Sequence, residues 1–250
     1  MPQTPIYEIE GQSFSLPCHV RDASSGGALY LVPADEARKL LGGPEIDVAE
    51  FLPGKAICSI TAVDYKDNDL GDYLEVSIAL FVRPAGERPF LPWLGNWTAL
   101  SAGKLGVHIL HLPVNQSFTC EAGRKIWGYP KTVQEIKMTY TKDRAVCELV
   151  YDGEHTLTFS TPRGGEKTRS ESPVTTYSYI DGTLYKTVAR QTISGFGTHK
   201  GASAELTLGN GVIADQLRAL GLPKKPITAM WMGKMVAEFG PPQPMRQKQD

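Results

Sequence analysis

The segment from Ile126 to Val133 places one charged residue, Lys131, among apolar and aromatic side chains. Trp127, Tyr129 and Pro130 are its close neighbours in sequence. Removing an ammonium group from water lowers its pKa, and a neutral amine attacks a carbonyl carbon. One interpretation of the pattern is therefore a lysine that acts as a nucleophile toward carbonyl groups. A loop lysine whose stem packs on the rings while its head reaches water explains the same pattern, and local chemistry alone favours this second interpretation.

A second candidate residue lies on a strand predicted over Tyr73–Val82. Alternation along that strand places Glu75, Ser77, Ala79 and Phe81 on one face. This face has one polar end and small residues, which is typical of a pocket wall. Glu75 is therefore a candidate residue of a pocket wall. An exposed carboxylate at a strand edge is the alternative interpretation.

Two motifs carry a resemblance to a known family. Gly123-Arg124-x-x-x-x-Tyr129-Pro130-Lys131 resembles the signature of the acetoacetate decarboxylase family, and Gly71-Asp72-Tyr73-Leu74-Glu75 resembles its Gly-x-Tyr-x-Glu segment. The resemblance implies that Lys131 forms the Schiff base and that Glu75 lies in the active site, where it is the candidate for proton transfer. It also implies a homo-oligomer that acts without a cofactor on a small-molecule oxo acid or ketone.

Four further residues are candidates for substrate binding. Arg124 suits a bidentate contact with a substrate carboxylate, although an arginine that satisfies nearby carbonyls is an equal alternative. Arg21 corresponds, through the resemblance, to an arginine of the family's active site. Trp127 and Tyr129 are expected as pocket walls. Glu121 is either a proton shuttle or an exposed carboxylate, and we favour the exposed carboxylate.

The sequence departs from the family's decarboxylases at two places. A second lysine directly follows the Schiff-base lysine in those enzymes, whereas Thr132 stands here. They also carry an acidic residue on the preceding strand, whereas Ala56–Thr61 contains no carboxylate. We therefore expect imine formation with weak or absent acetoacetate decarboxylation. The alternatives are an imine-forming aldolase-dehydratase or cyclase that releases no carbon dioxide, and a non-catalytic ligand-binding β-barrel with an inert lysine.

The remaining patterns predict a mainly β fold of the β-rich α+β type, a single-domain antiparallel barrel with a few short helices. Asp152-Gly153 and Asp181-Gly182 stand between alternating runs and predict tight hairpins. Charge order and a following glycine predict a helix over Ala34–Leu41, and apolar residues at helical spacing predict another over Val212–Leu220. We also predict a helical turn over Ile46–Phe51.

Composition limits the class of protein. The chain has 250 residues, a formal net charge of -1 and four cysteines without metal-ligand spacing, so we expect no nucleic-acid partner and no disulfide framework. We see no membrane helix and no signal peptide, and we expect a cytoplasmic protein. We expect one domain over residues 1–240 and a flexible tail over 241–250. His108 and His111 are three apart on a predicted strand, which places them on opposite faces and predicts no metal site.

Overall fold

Sixteen strands and four short helices make up the part of the chain that this computed structural model describes, residues 6–87, 89–200 and 203–245. The strands are β1 (Ile6–Ile9), β2 (Gln12–Ser15), β3 (Cys18–Pro33), β4 (Ile46–Val48), β5 (Lys55–Asn68), β6 (Tyr73–Pro84), β7 (Gly106–Val114), β8 (Lys131–Val133), β9 (Glu135–Tyr140), β10 (Arg144–Tyr151), β11 (Glu154–Pro162), β12 (Lys167–Ile180), β13 (Thr183–Lys200), β14 (Glu205–Leu208), β15 (Thr228–Phe239) and β16 (Gln243–Pro244). The helices are α1 (Ala34–Arg38), α2 (Pro92–Ser101), α3 (Ser117–Trp127) and α4 (Val212–Ala219).

Seven of the strands close into a barrel. Around the barrel, β6 is followed by β5, β3, β15, β13, β12 and β7, and β7 pairs with β6 to complete the ring. These neighbours are antiparallel except β7 and β12, which run parallel with Gly106 opposite Thr175. The short strand β8 pairs with the C-terminal end of β7, and the two strands run parallel. The predicted mainly antiparallel, barrel-like β fold with few helices is confirmed.

The largest hydrophobic core lies outside the barrel, between it and a second sheet of β14, β11, β10 and β9. Leu157 and Phe159 of β11 belong to the same buried cluster as Tyr30 of β3 and Ile60 of β5, and each is at most 1% exposed. Apolar side chains of α4 complete this cluster. The apolar side chains on the outward faces of the barrel strands are thus buried against the second sheet, which stabilises the fold. The side chains on the inward faces line a cavity.

Both Asp-Gly hairpins form where the sequence predicts them. Asp152 and Gly153 join β10 to β11 with φ of 50° and 83°, and Asp181 and Gly182 join β12 to β13 with φ of 48° and 75°. Two successive positive φ angles match the twist of antiparallel strands. The second hairpin holds together two of the barrel's longest strands.

The helix predictions were right at two places and wrong at others. α1 and α4 lie within the predicted ranges, but α2 and α3 were not predicted. The predicted helical turn over Ile46–Phe51 is wrong, because β4 pairs there with β6 and places Asp47 opposite Arg83. The buried Ile46 and Val48 flank the half-exposed Asp47, so the local pattern is that of an edge strand.

The C-terminal segment is ordered further than expected. The sequence predicts a flexible tail over 241–250, but β16 pairs with β13, with Pro244 opposite Tyr185. The Met245 N–H also donates to the Leu184 carbonyl at 2.8 Å. Residues 246–250 lie outside the described residues. Among the described helices, none is long and apolar enough to cross a membrane.

A bulge in β7 turns two histidines to the same side of the sheet, contrary to the prediction. The register with β6 shifts between Ile78, which lies opposite His111, and Ala79, which lies opposite Ile109. The extra residue breaks the two-residue period. His108 and His111 consequently both line a cavity of about 250 Å³ on the outer face of the barrel.

Candidate active site

The turn after α3 sets the position of Lys131. Gly128 ends the helix in the left-handed region, at φ of 64°, and its N–H donates to the Arg124 carbonyl at 3.1 Å. The Tyr129 N–H donates to the Gly123 carbonyl at 3.1 Å. A Cβ at position 128 would lie 2.5 Å from a backbone oxygen of a neighbouring strand, so glycine is required there. The chain then enters β8, with Lys131 as its first residue.

Gly123 leaves room for the lysine side chain. A Cβ at this position would lie 2.5 Å from Cδ and 2.8 Å from Cε of Lys131. The aliphatic stem of the lysine therefore passes directly over the helix backbone. Its amine emerges inside the barrel, where Lys131 is only 5% exposed.

Glu75 faces this amine from β6. Its Oε2 lies 3.0 Å from Lys131 Nζ, and Glu75 is 7% exposed. The same amine donates to the hydroxyl of the fully buried Thr119 at 2.8 Å. Opposite charges can be buried when each is paired and hydrogen-bonded, and this site meets both conditions.

Two tyrosines to which the sequence analysis gave no role complete the surroundings of the pair, and one of them, Tyr73, belongs to the motif that carries Glu75. Lys131 Nζ lies 4.8 Å from the centroid of the Tyr73 ring, within the range of a cation–π contact. The Tyr65 hydroxyl donates to Glu75 Oε1 at 3.4 Å, and the two tyrosine rings stack with centroids 4.4 Å apart. Burial raises the pKa of Tyr73 to about 12, so its hydroxyl keeps its proton at neutral pH.

The net pKa of Lys131 differs from the sequence-based expectation. Burial lowers the pKa of this amine, but the Glu75 carboxylate and Tyr73 act in the opposite direction, and the net pKa lies above the usual value for lysine. The expectation of a depressed pKa is therefore wrong for the Lys131–Glu75 pair. The sequence shows the apolar neighbours of the lysine, whereas the counter-charge comes from a residue 56 positions earlier in the chain.

The pair opens onto a cavity of about 930 Å³ inside the barrel. Glu75, Ser77, Ala79 and Phe81 all line it, as alternation along β6 predicts. Its size falls within the range of about 300–1,000 Å³ that is usual for small-molecule sites. The cavity therefore offers Lys131 a carbonyl-containing ligand of considerable size.

Trp127 and Tyr129 also line this cavity. The Trp127 Nε1–H donates to the Gly240 carbonyl at 3.0 Å, and the Tyr129 hydroxyl shares a hydrogen bond with Thr176 Oγ1 at 2.7 Å. Their rings stack with centroids 6.0 Å apart. Because each polar atom already has a protein partner, these two side chains are placed as walls, in agreement with the expectation.

The two arginines expected to bind substrate lie elsewhere. Arg124 is exposed on α3 and does not line the cavity. Arg21 points out of the barrel, since its neighbour Val20 lines the inside, and it forms ion pairs with Asp67 at 2.8 Å and Asp69 at 2.5 Å. The geometry thus corrects the assignment of Arg124 and Arg21 as substrate-binding residues.

A cation that the sequence analysis missed lies on the cavity wall. Arg169 of β12 lines the cavity, and its guanidinium carbon lies 3.9 Å from the centroid of the Phe196 ring. Of the lysines and arginines that the structure describes, only Lys131 and Arg169 line this space. Arg169 falls in an irregular stretch of β12 between Lys167 and Ser172, so no regular pattern in the sequence indicates where it points.

Of the acidic residues that the structure describes, Glu75 and Glu171 line the cavity and Glu121 does not. Glu121 is half-buried on α3 and its Oε2 lies 3.7 Å from Lys125 Nζ, so it is a helix-surface carboxylate and does not line the cavity. Within the described ranges, no group of three or more His, Cys, Asp or Glu side chains is arranged to hold a metal ion.

Of the two departures from the family's decarboxylases, the one on β5 lies at the cavity and the one at Thr132 does not. Thr132 does not line the cavity, and alternation along β8 turns position 132 away from Lys131. A lysine there would therefore point away from Nζ, which weakens the argument from Thr132. Ser59 and Thr61 of β5 do line the cavity, so the absence of a carboxylate from this stretch changes the chemistry of the wall.

Comparison with known proteins gives a family for the chain and relatives of its fold. A family model described as acetoacetate decarboxylase matches residues 4–240. No curated protein sequence gives a significant match. The chain is similar in structure to an acetoacetate decarboxylase from Legionella pneumophila, with a TM-score of 0.69 and 17% identity over 94% of this chain and 89% of that one.

Two further structures share the fold. The enduracididine biosynthesis enzyme MppR, complexed with the condensation product of pyruvate and imidazole 4-carboxaldehyde, gives a TM-score of 0.65 and 15% identity over 92% of this chain and 89% of that one. An acetoacetate decarboxylase-like enzyme from Sphingomonas wittichii gives a TM-score of 0.56 and 11% identity over 92% of this chain and 94% of that one. At these identities the structural matches establish the fold alone.

Proposed function

The chain belongs to the acetoacetate decarboxylase family, and we propose that it is a Schiff-base-forming lyase in which Lys131 attacks the ketone of an oxo acid. The observation that carries this proposal is the buried contact of 3.0 Å between Lys131 Nζ and Glu75 Oε2 at the wall of the cavity. A lysine kept from solvent needs a local proton acceptor before it can act as a nucleophile, and Glu75 supplies one.

The proton steps stay within this pair. Transfer of a proton from the ammonium to Glu75 leaves a neutral amine and a neutral carboxyl group, with no net charge in the buried site. The amine nitrogen bonds to the carbonyl carbon, the carbonyl oxygen leaves as water, and the carboxyl proton returns to the imine nitrogen. The product is a protonated imine next to the Glu75 carboxylate, which stabilises the positive charge.

The protonated imine then acts as an electron sink, and two outcomes follow from the substrate. A 3-oxo acid loses its carboxylate as carbon dioxide and forms an enamine. A pyruvate-like acid loses a proton to Glu75 and forms an enamine that adds to an aldehyde. Arg169 is the cation available to hold an anionic end of either substrate.

The second outcome, an aldolase-dehydratase or cyclase, is favoured by one observation. Ser59 and Thr61 line the cavity, and the segment Ala56–Thr61 contains no carboxylate. The structural neighbour MppR was captured with a condensation product of pyruvate and an aldehyde. Pyruvate together with an aldehyde therefore belongs in the substrate panel.

One experiment separates these functions. The protein is incubated with acetoacetate, or with pyruvate with and without an aldehyde, and each sample is assayed for carbon dioxide release and for trapping by borohydride. We expect trapping with little carbon dioxide from acetoacetate. Rapid carbon dioxide release would identify a decarboxylase. A folded protein that shows neither signal with a broad panel of oxo acids would be a non-catalytic ligand-binding barrel, and the proposal would be wrong.

A further inference from the structure

The cavity is much longer than the reacting part of a small oxo acid requires. Glu75, next to Lys131, and Phe81 both line it, and they are six residues apart on β6. At about 3.4 Å per residue, the wall between them extends roughly 20 Å. Ser77 and Ala79 lie between these ends with small side chains, so the space along this strand is not filled from β6.

The part of the cavity beyond the Lys131–Glu75 pair is lined mainly by apolar side chains. They are Leu29, Phe81, Leu100, Leu105, Met230 and Met232. Methionines adapt their shape to a ligand because their unbranched side chains rotate freely. These six side chains stabilise a hydrocarbon chain, and the charged residues on the cavity wall apart from the Lys131–Glu75 pair are Arg169 and Glu171.

Two serines of the wall, Ser25 and Ser59, already have hydrogen-bond partners in the barrel. The Ser25 hydroxyl donates to the Ala62 carbonyl at 3.1 Å, and the Ser59 hydroxyl donates to the Ala79 carbonyl at 3.3 Å. Both hydroxyls are satisfied by the barrel's own backbone, so neither requires a polar group from a ligand.

We infer that the substrate of the Lys131 site is an oxo acid or ketone with an apolar chain of medium length, which lies along β6 from Glu75 towards Phe81. This inference rests on the proposed imine chemistry for the reacting carbonyl. The apolar wall supplies the specificity, since each buried methylene group strengthens binding roughly two- to four-fold.

A homologous series measures this specificity. Acetoacetate, 3-oxohexanoate, 3-oxooctanoate and 3-oxodecanoate are compared by the second-order rate constant of borohydride trapping. We expect the constant to rise about two- to four-fold for each added methylene until the chain reaches Phe81. A constant that is flat or falls with chain length would overturn the inference.

Variants that fill the cavity localise the effect. Ala79→Phe and, on the adjacent strand β5, Ser59→Leu fill the same part of the cavity, because Ser59 lies opposite Ala79 in register. Each should reduce the ratio of the trapping constant of 3-oxodecanoate to that of acetoacetate at least about ten-fold. Thr192→Leu is the matched control, because Thr192 is exposed on β13 and does not line the cavity. The inference is wrong if folded Ala79→Phe and Ser59→Leu proteins keep the wild-type ratio.

Binding of decanoate keeps the two proposals distinguishable. Decanoate has no ketone and cannot form an imine, and calorimetry reports its affinity directly. Saturable binding that Ala79→Phe weakens would support the apolar site even if no oxo acid were trapped. Trapping of acetoacetate without any decanoate binding or chain-length gain would support the imine chemistry and overturn the apolar chain.

Discussion

Two cavities lie on either side of Tyr129, and the pKa values of their buried basic groups are shifted in opposite directions. The inner cavity holds the Lys131–Glu75 pair inside the barrel, and the outer cavity holds His108 and His111. Tyr129 lines both. The motif that carries the lysine thus forms the wall between a charged site and a neutral one.

Burial acts without opposition from a charge in the outer cavity. It lowers the pKa of His108 and His111, although each ring also has a hydrogen bond to a neutral acceptor. The His108 Nδ1–H donates to the Tyr177 carbonyl at 2.9 Å, and the His111 Nε2–H donates to Gln216 Oε1 at 2.6 Å. In the inner cavity a carboxylate opposes burial and raises the pKa of the amine. The counter-charge, and not burial alone, decides which protonation state each cavity keeps.

Removing the amine should have the largest effect. Lys131→Ala should abolish borohydride trapping and turnover, because only this primary amine faces the cavity among the lysines that the structure describes. Lys131→Arg should do the same while keeping a positive partner for Glu75, since a guanidinium stays protonated. Thermal unfolding of the arginine variant checks that it is folded, and residual trapping in that folded variant would place the imine on another lysine.

Removing the counter-charge should shift the pKa of the inner cavity's basic group downward, as burial does in the outer cavity. In Glu75→Gln the opposing carboxylate is gone and only Tyr73 still opposes the effect of burial. The pKa of Lys131 should therefore fall, and the pH profile of trapping should shift to lower pH. Turnover should fall about 10²–10⁴-fold, because the proton carrier is lost. The two measurements are made on the same protein across a pH series.

Glu121→Gln is the matched control for this variant, since Glu121 is a carboxylate on the surface of α3 and does not line the cavity. It should leave both the pH profile and the turnover unchanged. A shift of the Glu75→Gln profile to higher pH would contradict the account, because it would mean that Glu75 does not raise the pKa of Lys131.

A smaller effect is expected from displacing the amine without removing it. In Gly123→Ala the new methyl group would collide with the lysine stem, 2.5 Å from Cδ, and move Nζ away from Glu75. A displacement of about 1 Å can cost about 10²-fold in rate, so we expect trapping to slow at least about ten-fold. Stability should not fall in step, since alanine favours a helix over glycine by about 1 kcal/mol.

Lys125→Ala, at an exposed position of the same helix, is the control for this experiment. Stopped reactions quenched with borohydride give the trapping rate, and thermal unfolding gives the stability. A Gly123→Ala protein that traps at the wild-type rate would show that the lysine stem does not depend on the missing Cβ.

The smallest effect on the chemistry is expected from the outer cavity. His111→Phe removes the hydrogen bond to Gln216 and should lower the free energy of unfolding by about 1 kcal/mol, while trapping stays at the wild-type rate. Denaturant unfolding and the trapping assay measure the two quantities separately. A large loss of trapping in a stable His111→Phe protein would mean that the two cavities are coupled through Tyr129.

Local patterns were enough to predict much of the fold. Asp152-Gly153 and Asp181-Gly182 specify their own turns through the φ angles of adjacent residues. Alternation along β6 gave the inward face of Glu75 correctly, because that strand is regular. The two histidines were placed wrongly because β7 contains a bulge, and nothing in the local sequence marks it.

The candidate site was only partly predictable for a related reason. Lys131 lies in a distinctive segment, whereas Thr119 contacts its amine, and Tyr65 and Arg169 line the cavity, only through tertiary packing of distant strands and a helix. Apolar residues of α3 recur at helical spacing, and Gly128 follows the helix as a cap, so the sequence did contain the signal for this element. The counter-charge from Glu75 sets the pKa, and its distance from the amine is fixed by closure of the barrel.

The central claim is that the buried amine of Lys131 forms the imine. The most direct measurement is peptide mapping by mass spectrometry after borohydride reduction with an oxo acid, in competition with the other lysines of the chain. The account predicts one reduced adduct, on the peptide that contains Lys131, and its loss in Lys131→Arg. An adduct spread over exposed lysines such as Lys125, with Lys131 unmodified, would contradict it.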